Sequence, residues 1–171
     1  MKLYRLRRWR PSSSSQDVQF FTCARPGRSG KPESRFCRVP DHIVHKWLRG
    51  LPGSTGTVIV SLLGRKHGPS GDSEFSFYSF HGGWDQRAER RGRPSFQEWL
   101  DRWHKERSIQ VLEHPTYDFC RVPTETLDAV ASDIARLLAA GRVVVLMDSG
   151  GETRTSQVCR HMGFVEDTRT E

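Results

Sequence analysis

The sequence predicts an α/β fold, with a central and mostly parallel β-sheet flanked by helices. Short apolar runs rich in β-branched residues alternate with amphipathic segments of helical period. Residues 143–147 (VVVLM) are apolar throughout, which is typical of a central strand buried on both faces. A loop with two adjacent glycines follows this run and leads into another helical segment. Ligands of such sheets bind outside the carboxyl ends of the strands, which is where this loop lies.

The elements ahead of that run are predicted from residue type and from the residues that bound each segment. The segment at 57–63 (TVIVSLL) is β-branched and bounded by glycines, and the segment at 74–80 (EFSFYSF) is aromatic-rich, so both predict strands. Apolar residues at helical spacing follow Pro94, a residue that favours the first turn of a helix. In order, the sequence predicts a helix at 41–48, strands at 57–63 and 74–80, a helix at 95–105 and a strand at 108–112.

The longest predicted helix spans 124–140. Thr124 is a suitable N-cap, and Gly141 ends the helix at a position that favours a left-handed residue. The apolar face of this helix consists of Leu127, Val130, Ala131, Ile134, Leu137 and Leu138. After the apolar strand, the loop at 148–155 leads into a last helix that ends before Gly163.

Positive charge is concentrated near the N-terminus. Residues 1–36 contain nine basic and two acidic residues, so this segment alone carries the net charge of +7 of the whole chain. Residues 11–35 are rich in Ser, Pro, Gly and Arg, a composition typical of a linker or a loosely held arm. We therefore divide the chain into a basic arm, 1–35, and a folded domain, 36–171. The arm is either a solvated tail or a contact for an acidic partner, nucleic acid or phosphoinositide headgroups.

The remaining composition limits the location and the chemistry of the protein. No apolar stretch approaches the roughly 18 residues of a membrane helix, and no apolar run follows the basic N-terminus as in a secretory signal. We therefore expect a cytoplasmic protein without a transmembrane segment. The four cysteines lack the spacing of a metal site or of a disulfide framework. His42 and His45 share a helical face without acidic or thiol partners, so we expect no metal and no cofactor.

The loop after the apolar strand has the features of an anion-binding cradle. A short loop that runs into a helix N-terminus directs several backbone N–H groups at one point, where the helix dipole adds positive potential. Gly150 and Gly151 permit backbone geometry that a side chain would obstruct. Arg154 has a planar guanidinium that can bind two oxygens of an anion. An ordinary strand-to-helix turn is the alternative interpretation of the loop taken alone.

Two motifs resemble the cysteine-based protein tyrosine and dual-specificity phosphatases. That family carries His-Cys, five residues with Gly as the third, and then Arg followed by Ser or Thr. This chain has Met147-Asp148, the residues SGGET, and then Arg154-Thr155. The family also carries a general-acid Asp on an earlier loop, in Pro-x-x-Asp-Phe followed by Val-Pro. This chain has PTYDF and then VP, with Asp118 lying 30 residues before Asp148.

The resemblance implies a role for each matched residue. Asp148 stands at the position of the nucleophile, and Asp118 stands at that of the general acid. Arg154 and Thr155 match the catalytic arginine and the hydroxyl residue after it. The implied phosphate-binding residues are Ser149, Gly150, Gly151, Glu152, Thr153 and Arg154. A carboxylate is a weaker nucleophile than a thiolate and repels an incoming phosphate, so we expect catalysis to be impaired.

Asp148 has more than one possible role. Its carboxylate can fold into the cradle, accept the loop N–H groups and pair with Arg154 in the place of a bound anion. It can also act as a nucleophile through an aspartyl phosphate, a chemistry that generally brings a magnesium ion to offset the charge. Met147 replaces the family's histidine as well, which favours a natural loss of catalysis over one substitution at 148 in an active enzyme.

The expected function is that of a pseudophosphatase-like protein that binds a phosphorylated protein, another phosphomonoester or a protein partner. One alternative is an active phosphomonoester hydrolase of this family whose nucleophile has been replaced. Another is a binder of nucleic acid or phosphoinositides that works through the basic arm. Only eight residues follow Gly163, where the family has further helices. We expect the sheet face that those helices would cover to be covered by the arm, by a protein partner or by a second copy of the chain.

Overall fold

The computed structural model describes residues 6–13, 17–26, 41–53, 56–64, 96–117 and 120–168. These residues contain β1 (Arg7–Pro11), β2 (Phe20–Ala24), α1 (Asp41–Arg49), β3 (Thr57–Ser61), α2 (Phe96–Trp103), β4 (Gln110–Glu113), α3 (Thr124–Ala139), β5 (Val143–Asp148), α4 (Thr153–His161) and β6 (Phe164–Glu166). A 3₁₀ turn at Lys105–Arg107 joins α2 to β4.

The six strands of the described residues form one mixed sheet in the order β4-β3-β5-β2-β1-β6. The strands β4, β3, β5 and β2 run parallel to one another, and β1 pairs antiparallel with both β2 and β6. The apolar run of the sequence forms β5, which is hydrogen-bonded to β3 on one side and to β2 on the other. The prediction of an α/β fold with a central, mostly parallel sheet and flanking helices is confirmed.

Helices cover both faces of this sheet. The helices α1 and α2 pack on the face to which Val145 points, and α3 and α4 pack on the face to which Val144 points. Successive residues of β5 therefore enter two different cores, which is why this strand is apolar at every position. In the described part of the chain, no helix is long and apolar enough to cross a membrane.

Most of the predicted elements are present, with bounds that differ by a few residues. Those confirmed are the helices at 41–48, 95–105 and 124–140, the strands at 57–63, 108–112 and 143–147, and the helix after the glycine loop. The sequence analysis does not predict β6, a strand of three residues that immediately follows Gly163. The strand predicted at 74–80 lies outside the described residues.

The N-terminal segment differs from the expectation of a loosely held arm at 1–35. Both β1 and β2 fall within that range, and β2 pairs with β5 in the interior of the sheet. Phe20 and Cys23 of β2 are fully buried. The basic residues of β1 are paired with acidic side chains from other parts of the fold, such as Arg7 with Glu152. The interpretation of 1–35 as a loosely held arm is therefore wrong for these two strands, because both are hydrogen-bonded into the sheet.

Candidate functional site

The candidate site is the loop between β5 and α4, at the carboxyl ends of the parallel strands. Gly151 has a φ of +73°, in the left-handed region that favours glycine. A Cβ atom at this position would lie 2.3 Å from the backbone N of Ala24 and 2.4 Å from the carbonyl carbon of Cys23. The loop is thus pressed against the end of β2, and only glycine fits where the two backbones meet.

The carboxylate of Asp148 lies at the focus of the loop amides. Its Oδ1 accepts a hydrogen bond from the N–H of Gly151. Its Oδ2 accepts from the N–H of Arg154 at 2.9 Å and from the N–H of Thr155 at 3.0 Å. Only 1% of Asp148 is exposed to solvent. A negatively charged group at a helix N-terminus is stabilised by the free amides and by the helix dipole, so the chain supplies its own anion to this cradle.

The guanidinium of Arg154 is buried and bonded to the ends of neighbouring strands. Its Nη1 donates to the carbonyl oxygen of Leu62 at 3.2 Å, and it also lies 3.3 Å from Oγ1 of Thr116. Thr116 in turn donates its hydroxyl hydrogen to the Leu62 carbonyl. Arg154 is 1% exposed, so its charge is enclosed with that of the carboxylate. The arginine joins the segments that follow β3 and β4 to the start of α4.

The other predicted loop residues have separate environments. Ser149 is buried, whereas Gly150, Glu152 and Thr153 are exposed. Glu152 accepts a hydrogen bond from Nη2 of Arg7 at 2.5 Å, so its charge is directed toward β1. All four were predicted to bind phosphate. Of the six residues predicted to do so, Gly151 and Arg154 donate their N–H groups to the Asp148 carboxylate. The third donor is the N–H of Thr155.

Thr155 contributes more than its backbone amide to the site. Its side chain is fully buried, and its Oγ1 makes no hydrogen bond in the structure as described. A buried hydroxyl group can donate as well as accept, and its hydrogen rotates to suit its neighbours. The residue lies in the position that the sequence predicts for the hydroxyl after the arginine.

Asp118, the predicted general acid, lies outside the described residues, but both ends of its segment are attached to α4. On the N-terminal side, Thr116 is within hydrogen-bond distance of Arg154. On the C-terminal side, the N–H of Val122 donates to Oε1 of Gln157 at 3.0 Å. Sequence reasoning missed Thr116 and Gln157 as parts of the site. The only signal for Gln157 was its position three residues after Arg154, on the same side of a predicted helix.

The buried thiols near the cradle are unsuited to act as nucleophiles. Burial raises the pKa of Cys23 well above its usual range, and the charge of Asp148 raises it further. Burial is likewise the main reason that the pKa of Cys159 is raised. Both thiols are therefore held in the protonated form, which is the unreactive one. Within the residues described, no group of three or more His, Cys, Asp or Glu side chains is placed to hold a metal ion.

Comparison with known proteins gives a likeness of fold to a protein tyrosine phosphatase. No protein-family model matches the chain, and no curated protein matches it. The crystal structure of Tk-PTP in the active form matches with a TM-score of 0.46 and 16% identity, over 85% of this chain and 67% of that chain. A mutant form of Tk-PTP, with a glycine replaced by alanine, matches with a TM-score of 0.43 and 14% identity, over 86% of this chain and 70% of that chain. At these identities the likeness concerns the overall fold and not the chemistry of the loop.

Proposed function

We propose that this chain is a phosphatase-like protein that has lost thiol chemistry and acts by binding a partner. The observation that carries the proposal is the position of the Asp148 carboxylate, which accepts three amide hydrogen bonds from its own loop. A loop of this kind can bind an external anion only when its backbone N–H groups are free to donate. Here the donors are used by a side chain that is part of the same loop.

The loss of catalysis follows from charge and from nucleophilicity. An incoming phosphate would meet a buried carboxylate at the place where a thiolate would attack, and two like charges at about 4 Å repel by a few kcal/mol at an effective dielectric near 20. A carboxylate that accepts three N–H groups also has its lone pairs engaged, which weakens it further as a nucleophile. Burial holds the thiols of Cys23 and Cys159 in the protonated form, so neither of these two takes over the role.

The position of Arg154 supports the same proposal. In a phosphate-binding loop the guanidinium is expected to bind the oxygens of the ligand. In this chain its Nη1 donates to the Leu62 carbonyl and contacts Thr116. These contacts position the segments around the cradle, and a phosphorylated ligand would have to displace the Asp148 carboxylate from the loop amides. We therefore favour a protein partner, recognised by surfaces outside the cradle, over a phosphorylated ligand.

A phosphatase assay on the purified full chain tests this proposal. The substrate is p-nitrophenyl phosphate, and the proteins are the wild type, Asp148→Cys and Asp148→Ser. We expect no hydrolysis by the wild type or by Asp148→Ser, because neither has a thiolate at 148. A wild-type rate in the ordinary enzyme range of about 1–1,000 s⁻¹, abolished by Arg154→Ala, would contradict the proposal.

The second candidate function is an active phosphomonoester hydrolase in which residue 148 has been replaced. It is favoured by the cradle itself, whose amides converge as a phosphate site would require. If Asp148→Cys hydrolysed the substrate, this would support an active hydrolase in which residue 148 has been replaced. Its absence would show that the loss involves more than the nucleophile, as the exchange of the family's histidine for Met147 suggests.

A further inference from the structure

Two histidines meet away from the cradle, on the face of the sheet that α1 and α2 cover. His45 lies in the middle of α1, and His104 follows the last residue of α2. Nδ1 of His45 is 2.7 Å from Nε2 of His104, and the ring centroids are 4.8 Å apart. This is a direct hydrogen bond between imidazoles, in which one ring nitrogen must donate and the other must accept.

Among the described residues, the charged groups that act on His104 besides His45 are two arginines and one glutamate. Arg49 of α1 and Arg107 of the 3₁₀ turn both act on His104 as positive charges. The opposing charge comes from Glu106, whose Oε1 lies 3.8 Å from Nδ1 of His104. A metal cation is disfavoured beside two arginines, and in the described part of the chain no third ligand completes the pair.

We propose that His45 and His104 form a proton-sensitive latch, which holds α1 against the end of α2 and releases it on mild acidification. The latch needs a lone pair on one of the two facing nitrogens. When both facing nitrogens carry a proton, neither can accept, and two positive rings lie against each other. The proposal rests on this geometry and does not depend on the function proposed for the cradle.

The electrostatics give the direction of the pH dependence. Burial lowers the pKa of His104 most, and the charge of His45 lowers it next. Glu106 raises the pKa, whereas Arg107 and Arg49 lower it, and the net result is below the ordinary value of 6.5. The unfolded chain therefore takes up this proton at a higher pH than the folded chain does. The latch stabilises the fold fully above 6.5 and loses that contribution as the pH falls below 6.5.

Release of the latch has a defined structural consequence. Trp47, on the turn of α1 that contains His45, is buried and donates its indole N–H to the carbonyl oxygen of Ala24 at 3.1 Å. Ala24 lies at the end of β2, where the backbone of the cradle loop meets that strand. The C-terminal end of α1 is held separately, because the Arg107 guanidinium donates to the Leu48 carbonyl. We therefore expect α1 to loosen around Trp47 without detaching from the domain.

Hydrogen exchange measured by NMR on the full chain tests the latch. The readouts are the protection factors of the Trp47 indole N–H and of the α1 amides, at about pH 7.5 and about pH 5.5, on either side of the ordinary histidine pKa. Protection in the wild type should fall on acidification. In His104→Gln, which keeps a donor and an acceptor but cannot titrate, most of that fall should be absent. His161→Gln is the matched control, since His161 pairs with Asp128 on the other face of the sheet.

Two results would overturn the proposal. One is an equal loss of protection in the wild type and in His104→Gln. The other comes from the wild type alone, so that it holds even if the variant fails to fold. The ring signals of His104 and His161 can be followed through a pH titration, and a His104 ring that titrates at or above the ordinary histidine value would show that the pair does not resist its second proton.

Discussion

The two ends of the parallel strands use arginine in different ways. At the amino ends, Arg107 and Arg142 donate to the carbonyl oxygens of Gly53 and Gly56, and both side chains are partly exposed. At the carboxyl ends, Arg154 is 1% exposed and lies in the same enclosed region as the Asp148 carboxylate. The amino-end arginines hold loops in place at the surface. Arg154 is part of a buried, charged group of side chains, and Arg25, which directly follows β2, is buried at the same edge.

This difference supports the choice of the carboxyl edge as the candidate site. A loop needs no buried charge to connect a strand to a helix, and burying one is costly unless every hydrogen bond is satisfied. The described residues concentrate their buried charged groups at the carboxyl edge, where ligands of such sheets bind. The variants that follow compare positions at the carboxyl edge with matched positions elsewhere, from the largest expected effect to the smallest.

The largest difference is expected between two glycines of nearly equal φ. Gly151→Ala introduces a Cβ 2.3 Å from the backbone of β2, whereas a Cβ at Gly141, whose φ is +69°, meets nothing within 4 Å. Strain from the left-handed conformation costs about 1–2 kcal/mol at either site, and the backbone clash adds to it only at 151. We expect Gly151→Ala to destabilise the fold by about 4 kcal/mol or more in urea unfolding. Similar midpoints for the two variants would show that the loop does not press against β2.

Removal of the carboxylate comes next. Asp148→Ala leaves three loop amides without their acceptor, and we expect a loss of about 3 kcal/mol in the free energy of unfolding. Asp128→Ala, which removes an exposed carboxylate paired with His161, is the control and should change the unfolding midpoint little. If Asp148→Ala were as stable as the control, the carboxylate would not be satisfying these amides.

A third comparison separates the two classes of arginine directly. Arg154→Lys loses the planar group that reaches Leu62 and Thr116, and a lysine cannot replace those contacts without leaving its own charge poorly paired. We expect a cost of about 2 kcal/mol at 154 and about 1 kcal/mol or less for Arg142→Lys at the opposite edge. Equal losses in the free energy of unfolding for the two variants, measured by thermal and chemical unfolding, would contradict the distinction between the two edges.

The smallest effect concerns the attachment of the segment that carries Asp118. Gln157→Ala removes the acceptor of the Val122 N–H, so we expect a loss of about 1 kcal/mol and faster exchange of that amide. Exchange of the amides in β5 (Val143–Asp148) should be unchanged. A Val122 amide that is equally protected in both proteins would mean that α4 does not hold this end of the segment.

Much of the fold could be predicted because its signals are local. The run at 143–147 is apolar at every position since it feeds two cores, and the period of the 124–140 helix follows from one buried face. The N-terminal strands could not be recognised in the same way. Their arginines look like a free basic arm until the fold brings Glu152 to Arg7.

The site was predictable in part for the same reason. The glycine at 151, the arginine at 154 and the acid at 148 lie within one short loop, so spacing alone brought them together. The direction of the Arg154 guanidinium depends on carbonyl and hydroxyl groups contributed by the ends of β3 and β4, which no local pattern specifies. The tie from Gln157 to Val122 likewise joins residues 35 positions apart.

The central claim is that Asp148 occupies the cradle in place of an external anion. Calorimetric titration of inorganic phosphate into the wild type and into Asp148→Ala tests it most directly, with circular dichroism to confirm that the variant is folded. We expect no binding heat for the wild type and saturable binding by Asp148→Ala, whose amides are free to receive the anion. Phosphate binding by the wild type with an affinity equal to that of the variant would contradict it.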